Sequence, residues 1–172
     1  MMSVFFQKEF DICLVGKANL KTVLPPYLSA WGWNGSLDDF IRTWLDEENA
    51  PDQRMIKNVE LLRQAGYPCY LATSQETLRA DYIRRVMGFE NIFDDLFFSC
   101  EIGVQKPDPA FYHHISANLN ISGDHLLFWD DSLKNVEGAR NCGWQAEVFS
   151  DIQDFRTRMA VYLSEVKIIA SL

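Results

Sequence analysis

No run of lysine and arginine in this chain rivals its acidic background: 16 basic residues face 24 acidic ones, for a net charge of −8. That balance disfavours nucleic acid and anionic membrane as partners, because both ask for a basic footprint. No apolar run reaches membrane length and no secretory leader is recognisable, so a cytoplasmic protein is expected. Cysteine is sparse and unpaired in pattern. Cys13, Cys69, Cys100 and Cys142 form no C-x-x-C, and Cys69 and Cys100 sit inside apolar runs. They read as reduced core residues, not as a disulfide framework. His113, His114 and His125 lack the spacing of a zinc site. Asn34-Gly35-Ser36 and Asn120-Ile121-Ser122 fit the glycosylation pattern, which means nothing without a secretory context. Repeats and low-complexity segments are also lacking, as is any linker long enough to separate independent domains.

Alternation is what the chain does have, from about residue 67 onward. "YPCYLAT" (67–73), "DLFFSC" (95–100), "HLLFWD" (125–130) and "QAEVFS" (145–150) read as short apolar strands. Between them lie helical patterns. Residues 74–88 carry Leu78, Tyr82 and Val86 on one stripe and stop at Gly88; residues 106–120 open on prolines and repeat Phe111, Ile115 and Leu119. Residues 132–143 end at Gly143, and a closing helix is expected over about 152–166. Strands alternating with helices predict an α/β fold, a Rossmann-like parallel sheet with helices on both faces. The first third differs. Residues 19–49 are aromatic-rich, have no strand signal, and break at Pro25-Pro26 and Asn34-Gly35. Residues 52–65 form an amphipathic helix with Met55, Val59 and Leu62 inward, ended by Gly66.

In an open parallel sheet, ligands bind beyond the carboxyl ends of the strands. Three such ends are polar here. Thr73 and Ser74 close the first strand, Lys106 follows the second, and Asp130 with Asp131 closes the third. A hydroxyl suits a phosphate oxygen, an ammonium offsets phosphoryl charge, and paired carboxylates suit Mg²⁺, which keeps water and phosphate oxygens as its other ligands. Each residue alone has a plainer reading: Thr73 as a strand terminator, Lys106 as a solvated loop cation, Asp131-Ser132 as a helix N-cap. Their order and spacing together are what is specific.

"LATSQ", "GVQKPDPAFY" and "LLFWDDSLKNVEGARNCGW" resemble the second, third and fourth motifs of the haloacid dehalogenase superfamily, in its branch with a small helical cap. That branch includes sugar-phosphate phosphatases and 2-haloacid dehalogenases. The resemblance implies Mg²⁺-dependent hydrolysis of a small phosphomonoester. It makes Thr73 the motif-two hydroxyl, Lys106 the motif-three lysine and Asp130 the principal metal ligand, with Asp131 the second acidic position. Ser74 stands where the family often has asparagine. By the same likeness residues 1–50 form the helical cap segment and residues 51–172 the core.

The family's first motif, an apolar strand ending in Asp-x-Asp, supplies its nucleophile, and no such motif occurs here. "FDICLVG" (10–16) is the nearest imitation, with Asp11 in the nucleophile's place and Cys13 in that of the second aspartate. Gln7-Lys8-Glu9 directly before it does not suit a central parallel strand. Residues 5–16 therefore read as a helix, and the chain as one that begins after the first, central strand. In the family that strand lies between those ending at Thr73 and Asp130, so here either these strands pair directly or another segment or chain fills the gap. An inactive hydrolase relative is expected, with a non-catalytic binding protein of the same fold and a 2-haloacid dehalogenase as alternatives. A small phosphorylated metabolite is the implied ligand. Apolar surface left by the missing strand, with Trp31, Trp33, Phe40 and Trp44, predicts a homodimer.

Overall fold

The computed structural model describes residues 5–169, and the chain divides between Ile115 and Ser116 into two units.

The first unit opens as a helix. A π turn over Phe5–Glu9 runs into α1 (Phe10–Leu14). The wider turn brings residues five apart onto one face, and the Phe5 and Phe10 rings lie 5.8 Å apart. Asp11 is exposed on this helix, so the imitation motif is not a strand. Lys17 N–H reaches the Ile12 carbonyl (2.9 Å), Gly16 N–H reaches that of Cys13 (3.0 Å), and Gly16 turns left-handed at φ 69°. These bonds form a Schellman stop.

Short helices follow because the sequence keeps breaking them. Asn19 caps α2 (Leu20–Val23), Pro25 opens α3 (Pro25–Leu28), and Ser36 caps α4 (Leu37–Glu47) by accepting from Asp39 N–H. None is long enough to persist alone. They are held by a shared cluster of Phe5, Leu20, Leu24, Leu28, Ile41 and Leu45. Trp31, Trp33, Phe40 and Trp44 pack half-buried against that cluster. The apolar surface expected of these four rings is thus largely turned inward, toward the chain's own core.

Asp52 caps α5 (Gln53–Gln64), which leads through Gly66 into β1 (Tyr70–Thr73). Then come α6 (Thr77–Asp81), α7 (Phe89–Ile92), β2 (Asp95–Phe98), α8 (Ser99–Ile102) and α9 (Pro109–Leu119). β1 and β2 pair in parallel, Tyr70 opposite Asp95 through Thr73 opposite Phe98. Arg63 staples α5 to the start of this sheet, with both arms on the Asp94 carboxylate (3.0 and 2.8 Å) and a third bond to the Ile92 carbonyl (2.6 Å). One sequence expectation fails here. A π turn over Tyr82–Val86 extends α6, closed by Met87 N–H on the Tyr82 carbonyl, five residues back. The extra residue rotates the stripe, so Ile83 is buried and Val86 is 62% exposed.

The second unit contains β3 (Leu127–Asp130), α10 (Leu133–Asn141), β4 (Gln145–Val148) and α11 (Ile152–Ile169). β3 and β4 also pair in parallel, Leu127 opposite Gln145 through Asp130 opposite Val148. Phe128 stacks edge-on with Trp144, Trp129 with Phe155, and the Trp144 indole donates to Ser116 Oγ at 3.0 Å. All four expected strands are present, each with four residues and so shorter than expected. Among the described residues no strand precedes β1, and each sheet has two strands. No helix among them is long and apolar enough to cross a membrane.

Candidate functional site

β1 ends in hydroxyls because its last residue, Thr73, is followed by a loop with no helical bonds until Thr77. That loop is fixed from beneath by Ser99, the first residue after β2, which is fully buried. Ser99 Oγ accepts from Gln75 N–H (3.0 Å) and donates to the Leu14 carbonyl (2.6 Å). One buried hydroxyl thus ties the end of α1, the loop after β1 and the end of β2. The Gln75 side-chain amide donates to Thr73 Oγ1 at 3.4 Å.

Lys106 comes back over the same strand end. Its backbone N–H donates to Ser74 Oγ (3.3 Å), and its ammonium donates to the Ala72 carbonyl (2.9 Å). The structure therefore brings together Thr73, Ser74 and Lys106, three residues that the sequence had marked separately. A cation and two hydroxyls within one strand end form a surface suited to an oxyanion.

Glu76, which sequence reading missed, sits 2% exposed at the start of α6. Its carboxylate accepts from Leu78 N–H (2.8 Å) and Arg79 N–H (2.6 Å). Arg79, itself buried, pairs with Glu48. Burial nevertheless pushes the Glu76 carboxyl above its ordinary 4.5, against the two backbone donors that pull it down. The signal was present in "SQETLRA": a carboxylate directly before a helical run is an N-cap. A raised folded-state value means that the folded chain binds this proton more readily than the unfolded one. The contribution of Glu76 to stability is then fullest below pH 4.5 and is lost as pH rises through the raised value. Urea midpoints of the parent and Glu76→Gln between pH 4 and 7 are expected to move accordingly, the parent losing ground to the variant as pH rises.

In the second unit, Asp130 closes β3. Its Oδ1 accepts from Ser132 N–H and from the Asn135 side-chain amide, both at 2.9 Å. Ser132 stands at the N-cap of α10 but makes no cap bond with its own side chain; the Asp130 carboxylate instead ties the Ser132 N–H to the Asn135 side chain at the start of that helix. Asp131 is exposed. Two hard carboxylate groups fit Mg²⁺ as partial ligands, with water and phosphate to complete an octahedron. Among the described residues no three His, Cys, Asp or Glu side chains gather as a metal cluster. His113 and His114 are exposed on α9, and exposed His125 pairs with Asp124 at 3.3 Å. None of the four cysteines is in a disulfide, and burial pushes Cys13 and Cys69 up to about 11.

Among curated relatives, a sesquiterpene phosphatase of Aspergillus oryzae is 31% identical over 93 residues, 54% of this chain and 47% of that protein. A phosphorylated-carbohydrate phosphatase of Thermotoga maritima is 25% identical over 127 residues, 70% of this chain and 59% of that one. The chain thus spans about half the length of these curated relatives. In fold it is similar to a haloacid dehalogenase-family enzyme of Bacteroides thetaiotaomicron crystallised with magnesium and inorganic phosphate, with a TM-score of 0.72 at 17% identity over 89% of this chain and 83% of that one. An L-2-haloacid dehalogenase of Xanthobacter autotrophicus is similar at a TM-score of 0.62, with 18% identity over 84% of this chain and 61% of that one. The family model for haloacid dehalogenase-like hydrolases matches residues 34–143, which include Thr73, Ser74, Lys106, Asp130 and Asp131, and the chain belongs to that family.

Proposed function

We propose that this chain carries the phosphate-holding portion of a phosphatase for small phosphomonoesters, without the nucleophile that hydrolysis needs. The observation that carries this reading is the return of Lys106 over the end of β1, its ammonium on the Ala72 carbonyl at 2.9 Å and its N–H on Ser74 Oγ at 3.3 Å. There the ammonium offsets phosphoryl charge while the Thr73 and Ser74 hydroxyls donate to phosphoryl oxygens. In the second unit, Asp130 and Asp131 would hold Mg²⁺ as two of its oxygen ligands. The two phosphatase relatives support a phosphate ester as ligand. The absence of an Asp-x-Asp strand among the described residues supports a second reading, a binding protein of this fold that hydrolyses nothing. The acidic pair of Asp130 and Asp131 argues against a dehalogenase, which needs no metal.

Calorimetric titration with inorganic phosphate tests the site directly. Saturable binding is expected, and Lys106→Ala is expected to weaken it about ten- to a hundred-fold, the range for losing a charged hydrogen bond. Phosphate binding that ignores Lys106 would remove the basis of the proposal.

A further inference from the structure

A groove of about 370 Å³ lies in the first unit between α4 and α6 with its π extension. That volume is within the roughly 300–1,000 Å³ of small-molecule sites. Ile41 and Leu45 enter it from α4, and Leu78, Tyr82 and Val86 from the other wall. The walls are pinned at one end. Tyr82 OH donates to Asp46 Oδ1 (2.6 Å), the Asn49 side-chain amide donates to Tyr82 Oη (3.3 Å), and Arg79 pairs with Glu48. At the other end each wall keeps its charges to itself. Lys21 of α2 pairs with Asp38 of α4 (2.7 Å), Arg42 with Asp39 on the same helix, and Arg84 with Asp81 (3.6 Å). No ion pair among the described residues joins the walls there, and the apolar strip between them stays open.

The π turn shapes this groove. In an unbroken helix Val86 would continue the inward stripe of Leu78 and Tyr82. The extra residue instead leaves Val86 62% exposed on the groove wall, with Arg85 beside it. Such turns are rare and recur at functional sites. Arg85 is exposed and, unlike Lys21 and Arg42, pairs with no carboxylate among the described residues. The groove thus offers an apolar strip and one uncompensated cation. From Asp38 to Leu45 that strip runs about 10 Å, at about 1.5 Å per helical residue. An extended chain covers about 3.5 Å for every three bonds, so about nine bonds fill it.

We infer that this groove binds a free aliphatic monocarboxylate of about ten carbons, its chain along the apolar strip and its head on the Arg85 guanidinium. Asp38 and Asp81 share the rim with that single unpaired cation, which disfavours a dianion. None of Thr73, Ser74 and Lys106 lines the groove, so this site stands apart from the phosphate reading.

Calorimetric titration of the full chain with octanoate, decanoate and dodecanoate, each below its micelle concentration, tests the site. Saturable binding is expected, tightening about two- to four-fold per methylene up to decanoate and levelling off beyond it; a fully buried methylene contributes about four-fold, and an open groove buries less. Val86→Asp puts a carboxylate on the apolar wall and is expected to abolish binding. Val86 is exposed, so this variant is expected to fold. Arg85→Gln is expected to weaken decanoate about two- to five-fold, the scale of an exposed ion pair, and to leave the neutral chain of decanol unaffected. Saturating inorganic phosphate is expected to change neither. Decanoate bound by Arg85→Gln as tightly as by the parent overturns the head-group assignment. Binding that survives Val86→Asp, that appears only above the micelle concentration, or that phosphate displaces overturns the site. So does a concentration-dependent dimer that Val86→Asp dissolves, because the groove then belongs to a second copy.

Discussion

Incubated with Mg²⁺ and a panel of sugar phosphates, the purified chain is expected to release phosphate roughly a million-fold more slowly than a complete enzyme, the scale of loss when a nucleophile is removed from a catalytic unit. Covalent carboxylate catalysis needs a carboxylate in line with phosphorus. The only carboxylate that the sequence offers in the nucleophile's place is Asp11, and it is exposed on α1. Glu76 is the buried acid nearest the Thr73 loop in sequence, and both its oxygens are taken by backbone donors of α6. Asp11→Asn is accordingly expected to change nothing. Robust turnover that disappears in Asp11→Asn would refute this and make Asp11 the nucleophile. Turnover that survives Asp11→Asn but not Asp130→Asn would call for a different chemistry.

Gly16→Ala is expected to destabilise the chain by about 2–4 kcal/mol, one of the largest effects open to a single methyl group. Two causes add. Gly16 sits at φ 69°, where a side chain costs about 1 kcal/mol. Its added Cβ would also lie 2.2 Å from the Cys100 carbonyl oxygen, a backbone atom with no freedom to retreat. Gly66→Ala isolates the first cause, since Gly66 has φ 88° and nothing within 4 Å of its added Cβ. That variant is expected to lose about 1 kcal/mol only. Urea denaturation of both variants measures the difference, and equal losses would show that the approach of α1 to Cys100 is not tight.

The alternation of strands and helices was legible because the apolar runs of β1 to β4 are short, β-rich and punctuated. The helix over residues 5–14 was legible from Gln7-Lys8-Glu9, which no buried strand could hold. Thr73, Ser74 and Lys106 were legible as polar groups at strand ends. Their convergence on one edge was expected from the sheet, but the bonds that join them were not, because they depend on a backbone N–H and an ammonium reaching back more than 30 residues to Ser74 and Ala72. Ser99 escaped notice as one small residue in "DLFFSC", yet its hydroxyl fixes the loop that carries the site. Val86 was misread for a different reason. Periodicity assumes 3.6 residues per turn, and the π turn over Tyr82–Val86 breaks that count. The inward turn of Trp31 and Trp33 was equally hidden, since neither lies on a helix long enough to leave a stripe from which to read a face.

Those rings also divide the chain optically. Of its five tryptophans, Trp31, Trp33 and Trp44 lie in the first unit and Trp129 and Trp144 in the second. In the first unit Trp31 faces Phe40 at 5.9 Å, Trp33 faces Phe40 at 5.3 Å and Trp44 faces Phe40 at 6.1 Å, so one phenyl ring is the hub of three indoles. Excitation is shared over such distances, and near-ultraviolet dichroism from the crowded chromophores depends on their mutual tilt. Phe40→Leu would remove the ring that the three indoles share as a neighbour, taking its contribution out of the near-ultraviolet dichroism of the cluster. The pair in the second unit, Trp129 on Phe155 and Trp144 on Phe128, would be left as the unchanged internal standard.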